Sequence, residues 1–107
     1  MHACMQLEGS AVLDSDGLMI SADMPLEANP ERMGSLISHL LRIGVKSMNM
    51  AKMDPLEEII MEGGKGKIVT RNEGKVLLIA FCNPDTPLGT VKFEIGEFAK
   101  KINEILA

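Results

Sequence analysis

The sequence predicts one small domain of the α/β class, more narrowly an α+β domain, in which a five-stranded, mostly antiparallel sheet carries helices on both faces. Three observations predict it. Short apolar segments separated by glycine-, asparagine- and aspartate-containing turns surround two long stretches of helical periodicity. Residues 76–81 are apolar without alternation, which is typical of a central strand covered on both faces. The length of 107 residues suits a single modest core.

The first two strands are predicted at residues 10–14 and 18–22. Between them, Asp16-Gly17 supplies the positive φ that a tight hairpin requires. We expect residues 1–8 to form a short N-terminal segment, followed by a single domain that spans residues 9–107. No linker, repeat or low-complexity tract divides that domain.

A long central helix is predicted next. Asn29 offers a capping oxygen, Pro30 suits the first helical turn, and Glu31 is favourable at the positive end of the helix dipole. The helix is expected to run to about residue 51, because the proline of Asp54-Pro55 disfavours the helical conformation in the residue before it.

Three strands and a closing helix complete the order strand, strand, helix, strand, strand, strand, helix. The strands are predicted at residues 56–62, 67–71 and 75–82, and the turns between them predict two more hairpins. Paired acids in the first of these three strands suit the edge of a sheet. The closing helix is predicted from Thr86-Pro87 to about residue 106.

Charge and composition disfavour several classes of function. The net charge is −4, and the chain has no Trp or Tyr and only 3 Phe, whereas nucleic-acid binding needs a basic surface or aromatic platforms. No run approaches the roughly 18 apolar residues of a membrane span, and the start lacks the pattern of a signal peptide. Cys4 and Cys82 lie far apart, with no metal-ligand spacing around them. We expect a reduced, cytoplasmic protein without a cofactor.

The central helix has more apolar surface than one sheet can cover. Its apolar residues spread over roughly twice the arc of about 100–120° that a single sheet face explains. At about 1.5 Å per residue it is also roughly 30 Å long, so it should overhang its own sheet. The surplus is mainly Leu36, Ile43 and Met50, at heptad spacing. These residues pack either under loops of the same protomer or, as we favour, against the helix of a second copy.

The remaining positions of the two helices follow from the same periodicity. Gly34 and Gly44 each weaken the central helix by roughly 1 kcal/mol, a cost that is tolerable where a glycine permits close backbone approach. The residues of this helix that are expected to face water are Ser35, Ser38, His39, Arg42, Lys46 and Asn49. The apolar stripe of the closing helix is expected to contain Leu88, Val91, Ile95, Phe98, Ile102, Ile105 and Leu106.

Four segments carry a resemblance to a known family. They read GSAVLDSDGLMIS at residues 9–21, GKIVTR at 66–71, GKVLLIAF at 74–81 and LGTV at 88–91, leading into the last helix. In this pattern and in the order of its elements, the chain resembles the roadblock/dynein light chain family over about residues 9–106. The resemblance implies a roadblock/profilin-like fold and a homodimer. In that dimer the central helices pair, and the first strand after them pairs across the dimer axis to make one continuous sheet.

The resemblance also implies a function without chemistry of its own. Members bind small Ras-like GTPases as regulators or scaffolds, among them the bacterial gliding-motility regulators, and others belong to dynein or lysosomal complexes. Carried over by position, the dimer interface would contain Leu36, Leu40, Ile43, Met50, Ile59 and Ile60. The GTPase-facing surface would contain Ser35, His39, Arg42 and Lys46. Many members begin with a helix before the first strand. With eight residues at 1–8, we expect that helix to be short or missing here.

Several chemical interpretations of the sequence compete with this non-catalytic function. The glycine- and lysine-rich stretch 63–67 superficially suggests a phosphate loop, but strands flank it where such a loop needs a following helix. His2 and Cys4 offer two metal ligands, too few for a closed site. Cys82 with His39 is a conceivable nucleophile pair, although cysteine is commonly a small core residue. Any of the three residues Arg32, Arg42 and Arg71 could act as an arginine finger, although surface solvation explains them as well.

The function that we predict is that of a homodimeric regulator or adaptor, not an enzyme, which binds a small Ras-like GTPase. Two alternatives remain. The dimer could be a passive scaffold or light-chain subunit of a motor or membrane-associated complex, in which case GTP hydrolysis would not change. A small-ligand sensor is disfavoured, since the chain has few aromatic residues and no convergent polar set.

Overall fold

Five strands and two helices follow one another in the predicted order. A computed structural model describes residues 7–14, 16–23 and 29–106, and the side chains of residues 7, 8 and 106 are not described. Residues His2 and Cys4, considered above as metal ligands, lie outside the described part. The elements are β1 (Leu7–Asp14), β2 (Met19–Asp23), α1 (Pro30–Met50), β3 (Glu58–Gly63), β4 (Gly66–Asn72), β5 (Val76–Cys82) and α2 (Leu88–Leu106).

The strands form one sheet in the order β2-β1-β5-β4-β3, and all four pairings are antiparallel. Every residue of β5 is buried, and this strand lies at the centre of the sheet, as its unbroken apolar run predicts. The strand with paired acids, β3, lies at one edge, which is also as predicted. The Glu58 of that pair begins the strand.

The alternation of side chains along β5 divides the core in two. Leu77, Ile79 and Phe81 pack on the α1 side, together with Ile37 of α1. Val76, Leu78, Ala80 and Cys82 pack on the α2 side, where the α2 residues Val91, Ile95 and Ala99 are almost fully buried. The prediction of a helix on each face is therefore confirmed.

The first hairpin turns as the sequence predicts, around a glycine of positive φ. Gly17 has a φ of 87°, a conformation that glycine adopts without steric cost. The side chain of Asp14 supports the turn, since its Oδ1 accepts hydrogen bonds from the backbone N–H groups of Asp16 and Leu18 at 2.9 Å each.

The end of α1 has a different cause from the one predicted. The helix begins as expected, with Asn29 Oδ1 accepting from the N–H of Arg32 at 3.0 Å. It ends at Met50, before the Asp-Pro pair is reached, because Lys52 adopts the left-handed conformation with a φ of 59°. The N–H groups of Lys52 and Met53 then donate to the last carbonyl groups of the helix, at 3.1 and 2.9 Å, in a Schellman-type arrangement.

Several other boundaries differ from the prediction by one to three residues. β1 begins at Leu7, whereas residue 10 is predicted. β3 begins at Glu58 and not at residue 56, although Leu56 is buried and its carbonyl accepts a hydrogen bond from Asn72 Nδ2 at 3.0 Å. The stripe of α2 is shorter than expected, because Ile105 is 77% exposed in the last turn of the helix. No helix in the described ranges is long and apolar enough to cross a membrane.

Candidate protein-interaction surface

The position of α1 over the sheet is fixed by two glycines. A Cβ placed on Gly34 would lie 3.0 Å from Leu13 Cδ2 in β1 and 3.2 Å from the carbonyl oxygen of Gly17. A Cβ on Gly44 would lie 3.0 Å from Leu56 Cδ2 and 3.3 Å from Ile59 Cδ1 in β3. Both glycines therefore permit α1 to approach neighbouring backbone closely, as the sequence predicts. At both sites the neighbours belong to the sheet and loops of the same protomer.

The same contacts show that α1 runs across the strands. From Gly34 to Gly44 the helix rises about 15 Å, which matches roughly three strand spacings of about 4.8 Å, from β1 over β5 and β4 to β3. Residues 45–50 continue the helix for about 9 Å past the contact of Gly44 with β3, and Met48 lies beside Leu56 of the following connection. The predicted overhang of the central helix is thus present.

Large apolar side chains cover the outer side of α1. Leu36 is 61% exposed, Ile43 is 51% exposed and Met50 is 87% exposed, and one helical stripe contains all three. The alternative in which they pack under loops of their own protomer is therefore wrong for the part of the chain that the structure describes. Leu40 lies between this stripe and the sheet and is half-buried.

The two isoleucines predicted for the dimer interface lie in the edge strand and face opposite sides of the sheet. Ile59 faces α1, as its contact distance to Gly44 shows, whereas Ile60 packs against the core under α2. Both are half-buried. Within the described residues β3 pairs on one side, with β4, so its other side offers backbone hydrogen-bonding groups for a further strand.

Polar residues occupy the next strip of α1. All four residues predicted to face a GTPase are exposed on this helix, and two of them, Arg42 and Lys46, are cations. Ser38, which the helical pattern placed toward water, is instead buried. It lies against the first hairpin, where a Cβ on Gly17 would be only 2.8 Å from its Oγ. A small hydroxyl suits this place because the hairpin backbone approaches the helix so closely.

A separate polar cluster ties the β4–β5 hairpin to α2. The Glu73 carboxylate accepts hydrogen bonds from Arg71 Nε and, at 2.9 Å, from Asn103 Nδ2. Burial by itself would raise the pKa of Glu73, but the hydrogen bonds from Arg71 and Asn103 outweigh it and the pKa is lowered. The hydrogen bond to Glu73 raises the pKa of Arg71 in turn. Arg71 is therefore engaged within the fold, whereas Arg32 and Arg42 are exposed on α1.

The candidate chemical sites are not assembled by the fold. The stretch at residues 63–67 forms the hairpin between β3 and β4, so no helix follows it to bind phosphate. Cys82 faces the α2 side of the sheet, whereas His39 is exposed on α1 above the other side, so the two cannot form a nucleophile pair. Among the described residues, no three His, Cys, Asp or Glu side chains are grouped to hold a metal ion.

Two apolar surface features escaped the sequence analysis. Phe93 is 64% exposed on α2, off the apolar stripe of that helix. A depression at the β3–β4 hairpin is lined by Met61, Ile68 and Phe81, of which only Phe81 belongs to the strand predicted as central. Periodicity could not reveal it, because it exists only where α1 leaves part of its sheet face uncovered.

Comparison with known proteins finds a matching family model and similar sequences. The family model of the Roadblock/LC7 domain matches residues 4–81, well over half of the chain. The protein MJ1340 of Methanocaldococcus jannaschii, itself uncharacterised, is 26% identical over 96 residues, and the alignment covers 90% of this chain and 84% of the relative.

Solved structures agree at the level of the fold. MglB of Myxococcus xanthus has a TM-score of 0.87 at 18% identity, covering 94% of this chain and 83% of that chain. A Roadblock/LC7 domain from Streptomyces avermitilis has a TM-score of 0.84 at 14% identity, with coverages of 94% and 86%. Profilin IB of Acanthamoeba castellanii has a TM-score of 0.65 at 16% identity, with coverages of 91% and 85%. The predicted roadblock/profilin-like architecture is confirmed.

Proposed function

The chain belongs to the Roadblock/LC7 domain family, and from that premise we propose that it is a homodimeric, non-catalytic regulator or adaptor that binds a small Ras-like GTPase and modulates its nucleotide state. The observation that carries the proposal is the divided outer surface of α1. Exposed Leu36 and Ile43 lie beside the exposed cations Arg42 and Lys46. One helix thus offers an apolar strip for a second copy and a polar strip for another protein.

The apolar strip supports dimerisation. Contiguous exposed apolar side chains on a small protein mark an interaction site. Leu36, Leu40, Ile43 and Met50 would pack against the same residues of a second copy, because a two-fold axis brings identical patches together. The open side of β3 would pair with its symmetry mate, with Ile59 and Ile60 at the centre of the joined sheet.

The polar strip supports binding of the GTPase. Ser35, His39, Arg42 and Lys46 of both copies would form one composite surface, whose cations complement an acidic partner and steer its approach. A docked dimer would bias the nucleotide-dependent switch segments of the GTPase. Any acceleration of hydrolysis would come from positioning the GTPase's own groups.

The test is a binding titration with small Ras-like GTPases of the same organism, loaded with GDP or with a non-hydrolysable GTP analogue. We expect saturable binding in at least one nucleotide state, and we expect Arg42→Glu with Lys46→Glu to weaken it at least about tenfold. Lys101→Glu is the matched control, because Lys101 is exposed on α2, on the other side of the sheet. An absence of binding in both nucleotide states would refute the proposal.

Hydrolysis rates separate regulation from passive scaffolding. A regulator changes the rate of single-turnover GTP hydrolysis or of nucleotide exchange when it is added to its GTPase. A passive scaffold also binds the GTPase, and the same substitutions weaken that binding. It leaves the rates of hydrolysis and of nucleotide exchange unchanged. The second result would retain the docking surface and assign the protein as an adaptor.

A further inference from the structure

The outer side of α2 carries an exposed aromatic ring between two glycines. Phe93 lies about 200° around the helix from the buried Ile95, so its ring points away from the sheet, and it is 64% exposed. Gly89 and Gly96 lie on the same side of the helix, one turn before and one turn after the ring. A Cβ on either glycine would meet nothing within 4 Å. The helix backbone is therefore open to close approach on both sides of Phe93.

A groove of about 290 Å³ adjoins this ring. Gly96, Ala99 and Asn103 of α2 line it, together with Arg71 and Glu73 of the β4–β5 hairpin. Asn103 Nδ2 donates a hydrogen bond to Glu73 Oε1 at 2.9 Å, which ties the helix to the hairpin across the groove. The groove is therefore held in place by the fold and lies on the face of the sheet opposite α1.

The charges around the groove are of both signs. Arg71 pairs with Glu73, and Lys100 Nζ lies 3.9 Å from Glu97 Oε1. A charged group that entered the groove would meet charges of its own sign. An aromatic ring is complementary to such a site, because its face is negative and attracts cations whereas its edge is positive and tolerates carboxylates. The groove thus favours a neutral aromatic side chain.

The chain itself provides such a ring at the border of the groove. Of its three phenylalanines, Phe81 is buried and Phe98 is half-buried, whereas Phe93 is exposed. In an antiparallel pair of α2 helices with a two-fold axis near residue 95, position 93 of one helix lies level with about position 97 of the other. That level is within the groove, and the symmetry makes the contact twice.

We infer that the α2 helices of two copies pair through this surface, with Phe93 of each copy inserted into the groove beside Gly96 of the other. Because α2 and α1 lie on opposite faces of the sheet, the contact joins dimers formed through α1 and leaves both strips of α1 uncovered. The inference goes beyond the proposed function and does not require it, since single protomers would pair in the same way.

The small size of the surface sets the strength of this association. A buried aromatic side chain covers about 150–250 Å², so two rings with their surroundings bury less than the roughly 1,200–2,000 Å² of a stable interface. We therefore expect a dissociation constant of about 100 μM or more. At micromolar concentration the α2 contact is dissociated.

Sedimentation equilibrium at concentrations up to about 1 mM tests the contact, and we expect the average mass of the wild-type protein to rise over this range. Phe93→Ser removes the ring, and Gly96→Gln fills the groove from a position where a Cβ meets no neighbour. Each should raise the dissociation constant at least about tenfold while circular dichroism shows an unchanged fold. Ile105→Ser is the matched control, because Ile105 is 77% exposed on the same helix, about 120° around from Phe93.

Nuclear magnetic resonance identifies the ring as the occupant. A ¹⁵N-labelled Phe93→Ser protein keeps the groove and lacks the ring. Unlabelled wild-type protein added to it should shift the amide signals of Gly96 and Asn103 through the ring current of the incoming Phe93. Unlabelled Phe93→Ser protein should leave these signals unchanged, and equal shifts with both additions would contradict the inference.

The outcomes separate this contact from the dimer formed through α1. A wild-type mass that stays constant up to the highest concentration overturns the α2 pairing alone. So does association that Phe93→Ser and Gly96→Gln leave unchanged. In the Ile43→Asp protein, we expect the mass to rise only at high concentration, and we expect Phe93→Ser in the same chain to abolish that rise. A rise that persists in this double variant would refute pairing through Phe93.

Discussion

The two helices cover the two faces of one sheet with opposite arrangements of large and small residues. In α2, Val91, Ile95 and Ala99 are buried, whereas Gly89 and Gly96 have open space around them. In α1, the buried residues are Gly34, Ile37 and Ser38, and the larger Leu36, Ile43 and Met50 face outward. The difference shows that α2 packs its apolar residues into the core of its own protomer, whereas α1 lies close to the sheet and leaves large apolar side chains exposed, where the proposed second copy would pack.

Of the substitutions that test this difference between the helices, we expect Ile43→Asp to have the greatest effect. A charge in the middle of the proposed helix pairing would be buried without a counter-ion, which costs at least about 3 kcal/mol and raises the dissociation constant more than a hundredfold. Analytical ultracentrifugation at micromolar concentration should show a folded monomer. Ser35→Asp, on the polar strip of the same helix, should leave the dimer intact. A dimer of unchanged affinity with Ile43→Asp would rule out pairing through this stripe.

Matched glycine substitutions test the same difference between the helices through the free energy of unfolding. Gly34→Ala places a Cβ 3.2 Å from the backbone oxygen of Gly17. Because this contact is too close, we expect the free energy of unfolding to fall by about 1–2 kcal/mol. Gly96→Ala meets nothing within 4 Å, and the better helix propensity of alanine should stabilise the protein by up to about 1 kcal/mol. Chemical denaturation at one protein concentration measures both. Changes of the same sign would contradict the comparison.

We expect the attachment of α2 to the β4–β5 hairpin to depend on pH. The pKa of Glu73 is lowered in the fold, so its ionised carboxylate contributes to the stability of the folded protein. This contribution is fully present above the pKa of the unfolded carboxyl, near 4.5, and is lost as the pH falls through the lower pKa of the folded state. Glu73→Gln should therefore cost about 1 kcal/mol at neutral pH and cost less below pH 4. Denaturation curves at several pH values test this. If Glu73→Gln lowers the free energy of unfolding by the same amount at every pH, this prediction is contradicted.

The smallest expected effect concerns the exposed aromatic ring of α2. Phe93→Ser changes a side chain that is 64% exposed and lies away from both contact strips of α1. We expect the free energy of unfolding to change by less than about 0.5 kcal/mol and the dimer to persist. Loss of the dimer in sedimentation at micromolar concentration would show that the α2 side also takes part in forming the dimer.

Most of the fold could be predicted because local chemistry and tertiary structure agree. The unbroken apolar run of β5 marked the central strand, Gly17 marked the first hairpin, and Asn29 and Pro30 marked the start of α1. Errors occurred where a non-local contact decided the result. Ser38, for example, is buried because a hairpin distant in sequence lies against it.

The proposed interaction surface was predictable in part. The heptad spacing of Leu36, Ile43 and Met50 indicated a second apolar stripe, and the structure shows these residues exposed. The depression at Met61, Ile68 and Phe81 was not predictable, since it depends on the angle at which α1 crosses the sheet.

Local patterns were sufficient to predict the order of elements, the central strand and the surplus of apolar residues on one helix, because each depends on periodicity and turn chemistry within a few residues. The direction in which that surplus faces depends on packing between distant segments. The small residues Gly34, Ser38 and Gly44 set how closely α1 approaches the sheet, and this approach fixes the direction and reach of the overhanging end. Such distances between segments far apart in the chain are set by packing, which no local pattern records.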